Sequence, residues 1–95
     1  MELTEEFLKK ITQMGTLGYP PEKIINVLDI EDGDKFIKEF SNKNSKVQKH
    51  YQKGVDKADY MIDIKLFEMA KNGVLKALDR YEERKYASLR EQKTK

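Results

Sequence analysis

The sequence predicts an all-α fold: a short N-terminal three-helix part, then a long helix and a C-terminal helix folded back as an antiparallel hairpin. Three observations carry this expectation. Apolar residues recur at three- and four-residue spacing along most of the chain, which is the period of a helix face. Only two prolines and five glycines interrupt 95 residues, too few breakers for a sheet rich in turns. No segment reads as a strand.

The first helix is expected from Thr4 to Met14. Thr4 is its N-cap, and Glu5 and Glu6 stand where the helix dipole favours negative charge. Phe7, Leu8, Ile11 and Met14 form one apolar face. Gly15-Thr16-Leu17-Gly18-Tyr19 reads as a turn with Leu17 and Tyr19 tucked inward. Pro20-Pro21-Glu22 opens a second helix, because a proline in the first turn sacrifices no hydrogen bond. Ile24, Ile25 and Leu28 mark its buried side, and it ends near Asp29. A turn over Ile30–Asp34 leads to a third helix, Asp34–Phe40, with Phe36, Ile37 and Phe40 as its apolar set.

A polar link, Ser41–Ser45, precedes the long helix, and Asn44 or Ser45 caps it. The long helix runs from Lys46 to about Asn72, roughly 40 Å at ~1.5 Å per residue. Gly54 is its weak point, where a kink is allowed, and Asn72-Gly73 stops it. A last helix starts at Val74 with Leu75, Leu78 and Tyr81 on one face and Ala77 beside it. Beyond Tyr81 the pattern thins to Tyr86 and Leu89 among Glu82, Glu83, Arg84, Lys85, Arg90 and Lys93, a stretch expected to project into solvent or a partner. The chain is read as one helical domain, with residues 1–44 as the three-helix part, which the family resemblance described below makes helix-turn-helix-like, and 45–95 as the long hairpin through which copies associate.

Composition removes several function classes. The chain is 38% charged and 38% hydrophobic with a mean hydropathy of −0.83, polar for a globular protein yet too regularly patterned for a disordered one. With no cysteine there is no disulfide framework, thiol nucleophile or Cys-built zinc site. No apolar run approaches a membrane span, and Met1-Glu2-Leu3-Thr4-Glu5-Glu6 is acidic where a signal peptide is basic. A soluble, cytoplasmic protein of a bacterium or a phage-infected cell is the expectation.

The net charge of +2 conceals a division. Residues 1–40 carry nine acidic side chains against five lysines, a net of −4; residues 41–95 carry fourteen basic against eight acidic, a net of +6. Lys43, Lys46, Lys49, His50, Lys53 and Lys57 cluster with only Asp56 opposing them. Lys46, Lys49, Lys53 and Lys57 return to one side of the long helix. Such a stripe either follows a phosphate backbone, releasing counterions at each contact, or merely solvates the helix.

Catalytic chemistry finds little footing. The single histidine, His50, sits between Lys49 and Tyr51 and reads as an exposed helical residue rather than a general base. Asp59 and Asp63 share a face at i, i+4, but no further ligand joins them at matching stride, and intrahelical ion pairs with Lys53, Lys57 or Lys65 are the expectation. Around Gly33, a calcium loop would need Leu28 as its first ligand. Neither Gly15-Thr16-Leu17-Gly18 nor Gly33 leads into the Lys-Ser/Thr of a phosphate loop. No catalytic residue, metal or cofactor is expected.

The order of motifs resembles the small terminase subunits of tailed bacteriophages and related phage helix-turn-helix proteins. The resemblance covers roughly residues 15–80. It lies in Gly18-Tyr19-Pro20-Pro21-Glu22-Lys23-Ile24 and Leu28-Asp29-Ile30, in Tyr51-Gln52-Lys53-Gly54, in Ile62, in Leu66-Phe67-Glu68-Met69-Ala70-Lys71-Asn72-Gly73, and in Ala77-Leu78. It implies a non-enzymatic DNA-packaging protein that self-associates, recognises viral double-stranded DNA and hands it to a large terminase subunit. Phe36–Phe40 would lie on the recognition helix, with Lys35 and Lys38 on it and Lys43, Lys46, Lys49 and Lys53 just after it as DNA contacts. The chain departs from the pattern in placing Glu31-Asp32-Gly33-Asp34 at the start of that helix and in having no arginine before Arg80.

The alternative is a helical adaptor that binds proteins and not DNA. Tyr51, Ala58, Ile62, Leu66 and Met69 form a seam along the long helix for a second copy or a partner. A chain this short cannot cover such a helix on all sides. Leu66 to Leu78 is also similar to one tetratricopeptide hairpin, a unit that needs neighbouring copies to stack on.

Overall fold

The computed structural model describes the backbone of residues 2–93 and the side chains of 2–90; the side chain of Lys93 lies outside the described residues. It is all-helical, with α1 Glu5–Leu17, α2 Pro21–Leu28, α3 Gly33–Ser41, α4 Lys46–Lys71 and α5 Leu75–Lys93. Two compact units divide the chain, Met1–Ala58 and Asp59–Lys95, so that α4 contributes its first half to one and its second half to the other.

In the first unit, helix ends are closed by the side chains the sequence supplies. Thr4 accepts a hydrogen bond from the Phe7 amide and opens α1. The helix does not stop at Met14. It continues through Gly15 to Leu17 and closes on Gly18, whose φ of 70° is the left-handed conformation that glycine enters without cost. Leu17 is therefore on the helix and 60% exposed rather than tucked inward, while Tyr19 does pack on the core. Pro20 and Pro21 start α2, and Asp29 closes it in the left-handed region that aspartate tolerates better than most residues. Asp32 caps α3 by accepting from the Lys35 amide at 3.1 Å. Ser45, buried, caps α4 by accepting from the Gln48 amide while its hydroxyl donates to the Glu39 carbonyl, which ties the end of α3 to the start of α4.

The core of this unit is Ile11, Met14, Ile24, Phe36 and Val47, one or two side chains from each of four helices. Ile37, expected inside with Phe36 and Phe40, is exposed, because it lies one residue off the buried face of a nine-residue helix. Phe36, Phe40 and Tyr51 form a chain of aromatic contacts, with Tyr51 edge-on to Phe40 at a centroid distance of 4.7 Å. The Tyr51 hydroxyl donates to the Tyr19 carbonyl at 2.8 Å, and burial pushes its phenol up from the ordinary value.

Gly15 and Gly54 do something the sequence reading missed. Both are buried, one on α1 and one on α4. A Cβ on Gly15 would fall 2.0 Å from the Tyr51 carbonyl oxygen, and one on Gly54 would fall 1.9 Å from the Thr12 carbonyl oxygen. Each glycine thus admits the other helix's backbone. The Thr16 hydroxyl reaches the Thr12 carbonyl at 3.2 Å and the Gly54 carbonyl at 3.3 Å, a polar bridge over the crossing. Gly54 is a contact surface more than a weak point.

The second unit is a helical hairpin. Gly73, with φ of 91°, turns the chain between α4 and α5, and the Gly73 and Val74 amides return to the Ala70 and Met69 carbonyls. Phe67 of α4 packs on Tyr81 of α5 at 5.4 Å between centroids. The buried position of α5 is Ala77; Leu75, expected on the inner face, is 76% exposed, and Leu78 is exposed too. A large residue at 77 would hold two helices apart that alanine lets touch. Among the described residues, no helix is long and apolar enough to cross a membrane.

The crossing makes a prediction whose sign opposes helix propensity. Gly54→Ala would add about 1 kcal/mol of helix preference, yet its methyl must displace the α1 backbone, which puts the cost at the upper end of core overpacking, about 3 kcal/mol. Chemical denaturation should show Gly54→Ala destabilised by about 2 kcal/mol; a variant as stable as the parent would refute the backbone contact.

Candidate nucleic-acid interface

The six lysines assigned to DNA contact fall on three consecutive pieces of the first unit. Lys35 and Lys38 are on α3, Lys43 is in the link after it, and Lys46, Lys49 and Lys53 are on α4; all six are exposed. Lys57 continues the row on α4 and is exposed as well. From Lys46 to Lys57 the row spans roughly 16 Å at ~1.5 Å per residue, the length of several phosphates on one DNA strand at ~3.4 Å each. The row lies beside the face that carries Val47, Tyr51 and Gly54 into the unit, which holds α4 in place without consuming the lysines.

Among the described residues, the ion pairs are those of Arg84 with Asp59 and Asp63, and no lysine of the row is in one. Gln52 bonds to Asp56 at 3.0 Å, which occupies the one carboxylate within the cluster. Lys23, by contrast, lies over the Tyr19 ring at 4.0 Å, outside the row. The row is thus an array of cations with little local compensation.

The acidic side chains gather elsewhere in the same unit. Two shallow grooves share Phe7, Leu28 and Asp29; Glu6 lines one, and Glu2, Glu31 and Asp32 line the other. A polyanion is repelled there. At the start of α3 the Asp32 carboxylate accepts from the Lys35 amide and, with Glu31 and Asp34 beside it, places negative charge where a phosphate would approach. Lys35 and Lys38, on the rest of α3, remain available.

Of the five residues assigned to association, Tyr51 is taken up by Phe40 and Tyr19 inside the first unit, and Ala58 is half-buried at that unit's end. Ile62, Leu66 and Met69 belong to the second unit, where Ile62 is 48% and Met69 39% exposed. Tyr60, Met61 and Ile64, which the seam omitted, are exposed beside them. Of the fourteen large hydrophobic residues exposed among those described, eleven follow residue 58. A two-helix hairpin has one inner side, and among the described residues most of this unit's other large apolar side chains are exposed.

Asp59 and Asp63 do share a face, but their partner is on the other helix. Arg84 of α5 donates from Nε to Asp63 and from a terminal nitrogen to Asp59 at 3.3 Å, an interhelical fork in place of the expected lysine pairs within α4. A planar guanidinium serves two carboxylates one turn apart, which an ammonium cannot do as well. The Asp63 hydrogen bond, ahead of the weaker opposing effect of burial, holds the Arg84 guanidinium above its ordinary pKa. Compared with known proteins, the chain has no match among family models, curated proteins or solved structures.

The Arg84 pairs are solvent-screened and more than a third exposed, so their worth is that of a surface network, about 0.5–1 kcal/mol. Their folded-state pKa is raised, so this contribution is present below the ordinary arginine value and persists across neutral pH. Arg84→Gln should therefore speed amide exchange along α5 several-fold at pH 7, more at low than at high salt, with the amides of α1–α3 unchanged. Uniform exchange in parent and variant would remove the fork from the account of the hairpin.

Proposed function

We propose that the protein is a non-enzymatic, self-associating helical protein that binds double-stranded DNA, of the kind found in phage small terminase subunits, acting in the cytoplasm of a bacterial or phage-infected cell. The observation that carries this reading is the uncompensated row from Lys43 through Lys46, Lys49 and Lys53, exposed and outside any ion pair among the described residues. Lysines at helical stride neutralise successive phosphates and release their counterions. Lys35 and Lys38 extend the positive surface onto α3, the helix that a helix-turn-helix protein lays in the major groove. A large terminase subunit is the partner this reading implies.

A second reading is an adaptor that binds proteins alone, and the exposed apolar residues of 59–95 favour it. The two share self-association and differ on DNA.

Duplex titrations separate them. Under the DNA reading, affinity falls steeply as salt rises from 50 to 200 mM, and Lys46→Glu with Lys49→Glu abolishes binding. Absent or salt-insensitive binding leaves the adaptor. Association has its own measurement: light scattering at tens of micromolar should give a mass above 11.2 kDa, and Ile62→Asp with Met69→Asp should return it to the monomer. A parent that is strictly monomeric sinks the association half of the proposal.

A further inference from the structure

We infer that the groove between α1 and the first half of α4 is a seat for phosphoryl oxygens, to which α1 contributes Lys9 opposite Lys53 and Lys57. The inference rests on the DNA reading for its natural ligand, a phosphodiester of the bound duplex, and adds a second wall to a surface so far confined to α3 and α4. The groove has a volume of about 480 Å³ and is lined by Lys9, Thr12 and Gln13 from α1 and by His50, Lys53 and Lys57 from α4. Leu8 contributes an apolar patch, and Glu5, at the α1 N-terminal end, is the one carboxylate.

The chemistry of this lining is that of an anion site. Three ammonium groups supply charge, and the Gln13 amide is a group that hydrogen-bonds phosphate oxygens. The Thr12 hydroxyl donates to the Leu8 carbonyl at 3.1 Å, which leaves its oxygen lone pairs but not its proton, so Gln13 and the lysines carry the donation. His50 Nδ1 sits 2.8 Å from the Lys46 carbonyl; an oxygen of that kind only accepts, so Nδ1 bears the proton and Nε2 is the nitrogen left for the groove or solvent. Lys9, Lys53 and Lys57 are exposed and outside ion pairs among the described residues. Three like charges around one groove repel one another, and a bound anion relieves that repulsion.

The placement is fixed by the backbone crossing rather than by the lysines themselves. Thr12 lines the groove with its side chain and meets Gly54 with its carbonyl, so the groove borders the point where α1 and α4 touch. Lys53 and Lys57 flank Gly54 on α4, and Lys9 precedes Thr12 by one turn on α1. A phosphate here is gripped from two helices whose separation is set by main chain, a more rigid arrangement than a row on one helix. This distinguishes Lys9 and Lys57 from Lys46 and Lys49, which lie outside the groove.

Two arms test it on the full chain. In the first, Lys9→Gln and Lys57→Gln are each titrated with duplex beside the parent and the Lys46→Glu/Lys49→Glu variant. Each single variant should weaken binding about tenfold at 50 mM salt and lower the log–log salt slope by about 1. If the Lys46/Lys49 variant loses binding while Lys9→Gln and Lys57→Gln match the parent in affinity and slope, the groove is overturned and the DNA reading stands. In the second arm, inorganic tripolyphosphate is added to isotope-labelled protein and amide shifts are followed by NMR. Shifts concentrated at Thr12, Gln13, His50 and Lys53, and lost in Lys9→Gln, support the seat even if the parent fails to bind duplex, an outcome that overturns the DNA reading alone. Shifts spread evenly over every exposed lysine overturn the seat.

Discussion

The first unit depends on one contact that involves no side-chain packing: the meeting of the α1 and α4 backbones at Gly15 and Gly54. Each glycine faces a carbonyl of the other helix, so the separation of the two helices is set by main-chain atoms and bridged by the Thr16 hydroxyl. With that distance fixed, Val47 and Tyr51 reach the Ile11–Ile24–Phe36 core from α4, and the Tyr51 hydroxyl finds the Tyr19 carbonyl. The lysines one helical step round remain outside. A methyl group at either position would widen the crossing and withdraw from the core the two side chains that bind α4 to the three short helices.

Energetics explain why so much rests on this contact. The largest fully buried side chains are Phe36, Ile11, Ile24 and Val47, each worth about 1.5–3 kcal/mol relative to exposure. That is a small store against the ordering of a chain this size. Side-chain caps at Thr4, Asp32 and Ser45 supplement it by satisfying helix ends that would otherwise need water. The second unit has less: Ala77 is its buried apolar residue among those described, aided by the Phe67–Tyr81 contact and the Arg84 fork. Tyr60, Met61, Ile62 and Leu75 are exposed because two helices offer each other one side only.

Helices were legible in the sequence wherever apolar stride and a capping residue agreed. Thr4, the two prolines of α2, Ser45 and Asn72-Gly73 mark real boundaries for local reasons. Gly15 misled because glycine has two uses, ending a helix and letting another backbone approach, and local sequence does not separate them. The signal was present in the register: Gly15 follows Ile11 and Met14 on the buried face of α1, and Gly54 follows Val47 on that of α4, positions where a breaker has no purpose. Leu75 and the partner of Asp59 and Asp63 depend on how α5 is rotated against α4, and a pattern of period 3.6 with few apolar residues does not fix that angle. The lysine row was legible as a row; its lack of ion pairs among the described residues, and the α1 wall beside Lys53 and Lys57, required tertiary structure.

The same distribution of charge constrains what kind of DNA contact is reasonable. Asp32 is the N-cap of α3 and Asp34 stands in its first turn, so the residues that elsewhere meet base edges are here acidic, with Asp32 already engaged in capping. The cations lie later, on the body of α3, in the link and on α4. Lysines against phosphates position a duplex without reading it, so under the proposed reading one copy of this surface would bind with little regard to sequence and with strong dependence on salt. Linking several such surfaces raises effective concentration without any new contact. The apolar residues left uncovered after residue 58 are the means by which copies would be linked, and the lysines before it are what the linking would multiply. On the proposed function, the division of charge and the division of packing would serve one arrangement: a weak electrostatic surface on one unit, multiplied by association through the other.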